Sequence, residues 1–262
     1  MTEKTTDYGR LCVGEKEELF ARAVALTAAQ QARTASTVFT LALTGGLTPL
    51  EWYDWCVRTH ALPPALLAAA HFTVSDERHV PLVSDESNFG HAARRLLDPL
   101  AVPSERRHPW PVRPSPLAAA EAYRRAWAAL AGPGRAYDVC FLGLGDDAHT
   151  ASIFPGSPLL SAAALSLPKG PNGAKEEALV EKDAAELFVA LDTAKGPRLT
   201  ITPAGLRACD LIIIKTHGEG KAPALKRIFS GPYDPLKAPA QILKTCADRV
   251  VWLVDKAAAK DI

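Results

Sequence analysis

A chain of 262 residues with 48% hydrophobic and 23% charged residues has an ordinary globular composition, enough for a large α/β core. Its formal net charge of +1 gives no global electrostatic case for nucleic acid or a membrane surface as partner, so any anion recognition must be local. Every apolar stretch falls short of the roughly 18 residues a membrane helix needs, and the start Met1-Thr2-Glu3-Lys4 has no apolar signal-peptide region.

Glu15–Gln31, rich in Ala, Leu and Glu, predicts the first helix. Thr37–Leu43 is a β-branched apolar run that predicts a buried strand, followed by a helix over Pro49–Thr59. His71–Ser75 predicts the next strand. Helices follow over Ser87–Leu97 and Pro116–Leu130, separated by a proline-rich loop, His108–Pro116. Tyr137–Leu142 predicts a strand that stops at two glycines. Further strands are predicted at Leu187–Leu191, Arg198–Thr202, Asp210–Ile214 and Arg249–Val254, with a short helix over Lys221–Phe229. Leu167–Ala174 reads as a turn-rich insertion. Strand–helix alternation with nearly continuous apolar strands predicts a mostly parallel, doubly wound, Rossmann-like sheet with helices on both faces. No composition shift splits the chain, so a single α/β domain over 1–262 is expected.

Five scattered cysteines (Cys12, Cys56, Cys140, Cys209, Cys246) show no CxxC spacing. They read as reduced and structural, which suggests a cytoplasmic protein. No histidine has metal-ligand spacing, and nothing demands a metal.

Four constellations can carry chemistry. Thr44-Gly45-Gly46-Leu47-Thr48-Pro49 lies between a strand and a helix. Glycines let backbone approach a ligand, and a helix N-terminus offers free N–H groups to an anion; the plainer reading is a tight turn with Thr48 as N-cap. Asp76-Glu77-Arg78 also follows a strand, and reads either as ligand contacts or as a solvated loop with an internal ion pair. Asp85 or Ser87 caps the next helix. Gly143-Leu144-Gly145-Asp146-Asp147-Ala148-His149 puts an imidazole two residues from a carboxylate, an acid/base pairing; alternatively Asp147 caps a helix through Thr150–Ile153. Last, Arg198 and Lys221 stand at glycine-flanked strand ends, where a cation either reaches an anion or is merely solvated.

Taken together, these elements resemble the family of 6-phosphogluconolactonase and glucosamine-6-phosphate deaminase. The family pattern runs through S/T-G-G-x-T-P, D-E-R-x-V-P with a downstream S-N, G-x-G-x-D-G-H-x-A-S-L-F-P, P-x-R-x-T, G-x-x-K-A and W-x-x-D. This chain matches in order with Thr44–Pro49, Asp76–Pro81, Ser87-Asn88, Gly143–Pro155, Pro197–Thr200, Gly218–Ala222 and Trp252–Asp255. The resemblance implies a sugar-phosphate site at the strand C-termini. Thr44, Gly45, Gly46 and Thr48 with Arg198 and Lys221 match the phosphate cradle, Asp76 and Arg78 match substrate-positioning groups, and His149 matches the catalytic residue, with Asp147 or Asp146 orienting it.

The activity so implied is hydrolysis of 6-phospho-D-glucono-1,5-lactone to 6-phosphogluconate in the oxidative pentose phosphate pathway, with His149 as general base on water. No organic cofactor and no metal are expected. The expected partner is a small-molecule sugar phosphate lactone, with no nucleic acid and no membrane, and the expected state is a monomer or weak homo-oligomer. Two alternatives share the pattern: the deaminase/isomerase activity and a non-catalytic sugar-phosphate-binding regulator. The deaminase branch carries a glutamate five residues after the histidine and favours Tyr at position 78; this chain has Phe154 and Arg78. It also departs from the pattern at Ala148, where the family has glycine. If position 148 needs positive φ, alanine costs about 1 kcal/mol or more.

Overall fold

The computed structural model describes residues 1–34, 38–161 and 186–262. Thr37 and the insertion Leu167–Ala174 therefore lie outside the described residues. The strands are β1 (Thr2–Thr6), β2 (Gly9–Gly14), β3 (Phe39–Leu43), β4 (Ala70–Val74), β5 (Asp76–Arg78), β6 (Val139–Leu142), β7 (Phe188–Thr193), β8 (Gly196–Ile201), β9 (Leu211–Thr216) and β10 (Val250–Asp255). Described α-helices are α1 (Lys16–Arg33), α2 (Leu47–Thr59), α3 (Pro64–Ala69), α4 (Asn88–Ala92), α5 (Pro116–Ala131), α6 (Pro203–Arg207) and α7 (Ala222–Phe229).

Seven strands form the main sheet in the order β1-β2-β10-β9-β6-β3-β4. All neighbouring pairs are parallel except β1–β2. Every residue of β3 and β6 is buried, as expected of central parallel strands covered on both sides. Helix α2 packs Trp52 on Phe141, with ring centroids 4.9 Å apart. From the other face, Tyr123 of α5 hydrogen-bonds Thr73 at 2.8 Å and Tyr137 at 3.1 Å. Phe141 and Cys140 alternate across β6, so the two helices flank opposite faces. The mostly parallel α/β sheet expected from the sequence is present.

Three features depart from the expected elements. The N-terminal hairpin β1–β2 was not anticipated, because Thr-Glu-Lys-Thr-Thr is polar and largely exposed. It is held from the core side, where Trp252 Nε1 donates to the Tyr8 carbonyl at 2.8 Å. The segments expected as strands at 187–191 and 198–202 do not join the main sheet. They form β7 and β8 of a separate antiparallel sheet, β5-β8-β7. Thr193 pairs with Gly196 across the Ala194-Lys195 turn, and so short a connection permits only antiparallel pairing. The third strand of that sheet, Asp76–Arg78, replaces the solvated loop offered as one reading of this stretch. It pairs with β8 in register Asp76↔Thr200 and Arg78↔Arg198.

The five cysteines are all buried free thiols. Among the described residues no helix is long and apolar enough to cross a membrane.

Candidate active site

The sheet order reverses between β3 and β6. From β3 the chain proceeds to β4 on one side, and from β6 to β9 and β10 on the other. Such a switch point opens a crevice at the strand C-termini, where ligands bind in open α/β sheets. The loops leaving these two strands nearly touch: a Cβ on Gly143 would lie 3.6 Å from the Gly45 carbonyl oxygen. A cleft of about 230 Å³ sits there. Thr44, Gly45 and Gly46 form one wall, Gly143, Gly145 and His149 another, and Asp76, Arg78 and Lys221 close it.

The glycine loop is fixed from beneath. The Tyr53 hydroxyl donates to the Thr44 carbonyl at 2.7 Å and accepts from the Thr44 N–H at 3.2 Å. Gly46 adopts φ 100° as the N-cap of α2, which corrects the reading of Thr48 as the cap. Thr48 is the second residue of the helix and lines a separate small cavity with Lys215 and His217.

The stretch after β6 is a closed turn. The Gly145 N–H donates to the His149 carbonyl at 2.9 Å, and the Ala148 N–H donates to the Gly145 carbonyl at 3.0 Å. Ala148 sits at φ 64° and is fully buried, so the positive φ considered for this position is real. The alternative helix through Thr150–Ile153 does not form; Ala151 has φ 48° and Thr150 bridges Ile153. The turn folds His149 onto Asp147, with Nδ1 2.5 Å from Oδ1 and the His149 N–H donating to the same oxygen at 3.1 Å. Burial opposes ionisation of Asp147, but these hydrogen bonds outweigh it and hold the carboxyl below its usual range. Gly145 is obligatory here: a Cβ would stand 2.0 Å from His149 Nδ1.

Asp146 faces elsewhere and pairs with Lys221, whose Nζ donates to Asp146 Oδ1 and to the Leu144 carbonyl, both at 2.7 Å. The Lys221 loop is itself anchored, since Asp255 accepts from the Gly218 N–H at 3.1 and 3.0 Å.

On the opposite wall, β5 alternation separates three consecutive charges. Asp76 and Arg78 line the cleft, whereas Glu77 points into the protein. Its carboxylate accepts from Ser87 Oγ at 2.9 Å and from the backbone N–H groups of Asn88 and Phe89 at 2.7 and 2.8 Å. Burial nevertheless pushes its pKa up. Ser87 is the N-cap of α4, accepting from the Gly90 N–H. Asp76 accepts from Ser152 Oγ at 2.6 Å. Arg78 donates to the Glu86 carbonyl. Arg198 is not among the residues lining the cleft. It stands beside Arg78 across the β5–β8 pair, where burial and the Arg78 charge push its guanidinium below the ordinary range.

Sequence reasoning did not single out Asn88 or Ser152 as site residues. Asn88 lines the cleft and donates to the Asp76 carbonyl at 2.9 Å. The period-2 alternation of a strand was the signal that would have turned Glu77 inward. Phe154 packs on His149 with ring centroids 4.4 Å apart, so an aromatic face occupies the position five residues on.

Known proteins share this architecture. A solved 6-phosphogluconolactonase from Trypanosoma brucei superposes with a TM-score of 0.76, at 25% identity over 100% of both chains. A monomeric glucosamine-6-phosphate deaminase superposes at 0.70 over 96% of this chain and 98% of its own, at 20% identity, a likeness of fold alone. In sequence, the chain is 33% identical to a 6-phosphogluconolactonase of Rattus norvegicus, covering 85% of this chain and 80% of the relative. It is 31% identical to one from Synechocystis, covering 85% and 84%. The family model for glucosamine-6-phosphate isomerases/6-phosphogluconolactonase matches residues 15–252, and the chain belongs to that family.

Proposed function

We propose that this protein is a 6-phosphogluconolactonase, a lactone hydrolase acting on 6-phospho-D-glucono-1,5-lactone in the oxidative pentose phosphate pathway. The observation that carries the reading is His149, held by Asp147, opening onto the same cleft as the glycine loop, Arg78 and Lys221. The curated relatives of that name at 31–33% identity support it.

In the proposed mechanism His149 gives its Nδ1 proton to the hydrogen bond with Asp147, leaving the Nε2 lone pair as the base. Nε2 takes a proton from water as the water oxygen attacks the lactone carbonyl carbon. The carbonyl electrons move to oxygen, and Arg78 or a backbone N–H of the cleft stabilises that oxyanion. Collapse re-forms the carbonyl and breaks the bond to the ring oxygen, which takes the proton back from His149. Thr44, Gly45 and Gly46 with Lys221 bind the phosphate, and Asp76 with Arg78 positions the sugar ring; Thr48 and Arg198, matched to the cradle by sequence, do not line this cleft. The phosphate supplies remote binding energy that holds the ring for attack.

Phe154 weighs against the deaminase reading. Sugar ring opening through a histidine needs a second proton carrier, and an aromatic ring against His149 has no proton to exchange. The test is an assay with the phosphorylated lactone, corrected for spontaneous hydrolysis, run beside glucosamine 6-phosphate. Lactone hydrolysis without ammonia release is expected. Ammonia release would overturn the choice of branch, and tight binding of 6-phosphogluconate with an unaccelerated lactone would make the protein a binder.

A further inference from the structure

We propose that Asp146 is a resident counter-anion for Lys221 that the substrate phosphate displaces, which makes it a determinant of affinity and product release; this rests on the proposed role of Lys221 in phosphate binding. Lys221 Nζ is held by Asp146 Oδ1 and the Leu144 carbonyl, and the amine borders the cleft. The Asp146 side chain is 83% exposed and that of Lys221 26% exposed. Asp146 has no other side-chain hydrogen bond among the described residues. The contact therefore joins a well-placed cation to a solvated carboxylate, a weak kind of ion pair.

A phosphate monoester brings a charge of about −1.5 to −2 and three acceptor oxygens, so it outcompetes a single exposed carboxylate for the amine. The Leu144 carbonyl keeps Lys221 in place during the exchange. A lactone without phosphate offers nothing to displace Asp146 with. Once displaced, Asp146 remains one residue from Asp147 and adds negative charge beside a bound anion. Hydrolysis converts the uncharged lactone group into a carboxylate, so the product carries more negative charge than the substrate and is repelled more.

Inorganic phosphate and 6-phosphogluconate, as inhibitors of lactone hydrolysis, are the probes. Asp146→Asn is expected to tighten both inhibition constants about two- to five-fold, the span that an exposed ion pair contributes. KM should fall with them while kcat does not rise. Lys221→Ala should weaken both inhibitors, and in that background Asp146→Asn should change them by less than half as much. If Lys221→Ala weakens inhibition but Asp146→Asn leaves it unchanged or weaker, Asp146 does not compete with phosphate, and only this inference falls. If Lys221→Ala itself leaves inhibition unchanged, the phosphate role of Lys221 falls and the counter-anion role falls with it.

Discussion

His149 Nδ1 lies 2.5 Å from Asp147 Oδ1, and the two residues are joined through a turn closed by Ala148 at φ 64°. The contact fixes which ring nitrogen carries the proton in the proposed mechanism. Asparagine at 147 can offer its amide N–H to Nδ1, which would move the ring proton to Nε2 and remove the base. Asp147→Asn should lower kcat about ten- to a hundred-fold, and His149→Ala at least about a hundred-fold, with little change in substrate affinity. Steady-state kinetics checks both; wild-type turnover in His149→Ala removes it from the mechanism. The Asp147 carboxyl is held below its usual range, so its contribution is fully present above the ordinary aspartate value of about 4 and is lost only as pH falls through the depressed value.

Gly145→Ala tests the pair while both of its side chains are kept. A Cβ there would stand 2.0 Å from His149 Nδ1 and 2.7 Å from Asp147 Oδ1. Gly145→Ala should leave the fold intact by circular dichroism yet reduce kcat at least tenfold, because the pair must separate. Retained activity would mean that the contact is not needed.

Ala148 is the strained counterpart. A left-handed conformation costs an alanine about 1–2 kcal/mol, and glycine gives back roughly 0.5–1 kcal/mol in unfolded-state entropy. Ala148→Gly also gives up one buried methyl, about 0.8 kcal/mol, which offsets the relief of strain, so stability should stay within about 0.5 kcal/mol of the parent. Thermal unfolding measures this, and a Tm lowered by more than roughly two degrees would contradict the strain argument.

Lys215 is fully buried, and its Nζ lies 3.3 Å from the Trp52 ring centroid and 4.4 Å from that of Phe141 without a hydrogen-bond partner in the described structure. Burial lowers its pKa well below the usual lysine value. For a base with a depressed folded value, the unfolded chain binds the extra proton between that value and about 10.4. Stability therefore rises with pH through that window. Lys215→Met should raise stability at pH 7, because it removes an amine whose charged form the core disfavours. It should also flatten the rise in stability between pH 7 and 10. Urea unfolding at several pH values reads both, and an unchanged slope would show that Lys215 stays protonated.

Much of the fold was legible because buried parallel strands announce themselves as apolar runs. Phe39–Leu43 and Val139–Leu142 did so, as did the Ile212-Ile213-Ile214 run in β9. The hairpin β1–β2 was not legible, since its polar strand draws its stability from pairing at a sheet edge. Strand pattern alone also left open that β7 and β8 form their own antiparallel sheet, although the two-residue turn between them encoded it.

By itself, the sequence determined the chemical inventory: a glycine loop, a carboxylate–imidazole stretch and two isolated cations, with Phe154 in place of a carboxylate. Tertiary structure alone decided their grouping. It gave Asp147 to His149 and Asp146 to Lys221, turned Glu77 inward while Asp76 and Arg78 face the cleft, and set Arg198 behind Arg78. Local sequence fixes strand ends through short-range patterning, whereas which ends become neighbours depends on sheet order, and that order is set by packing between residues far apart in the chain.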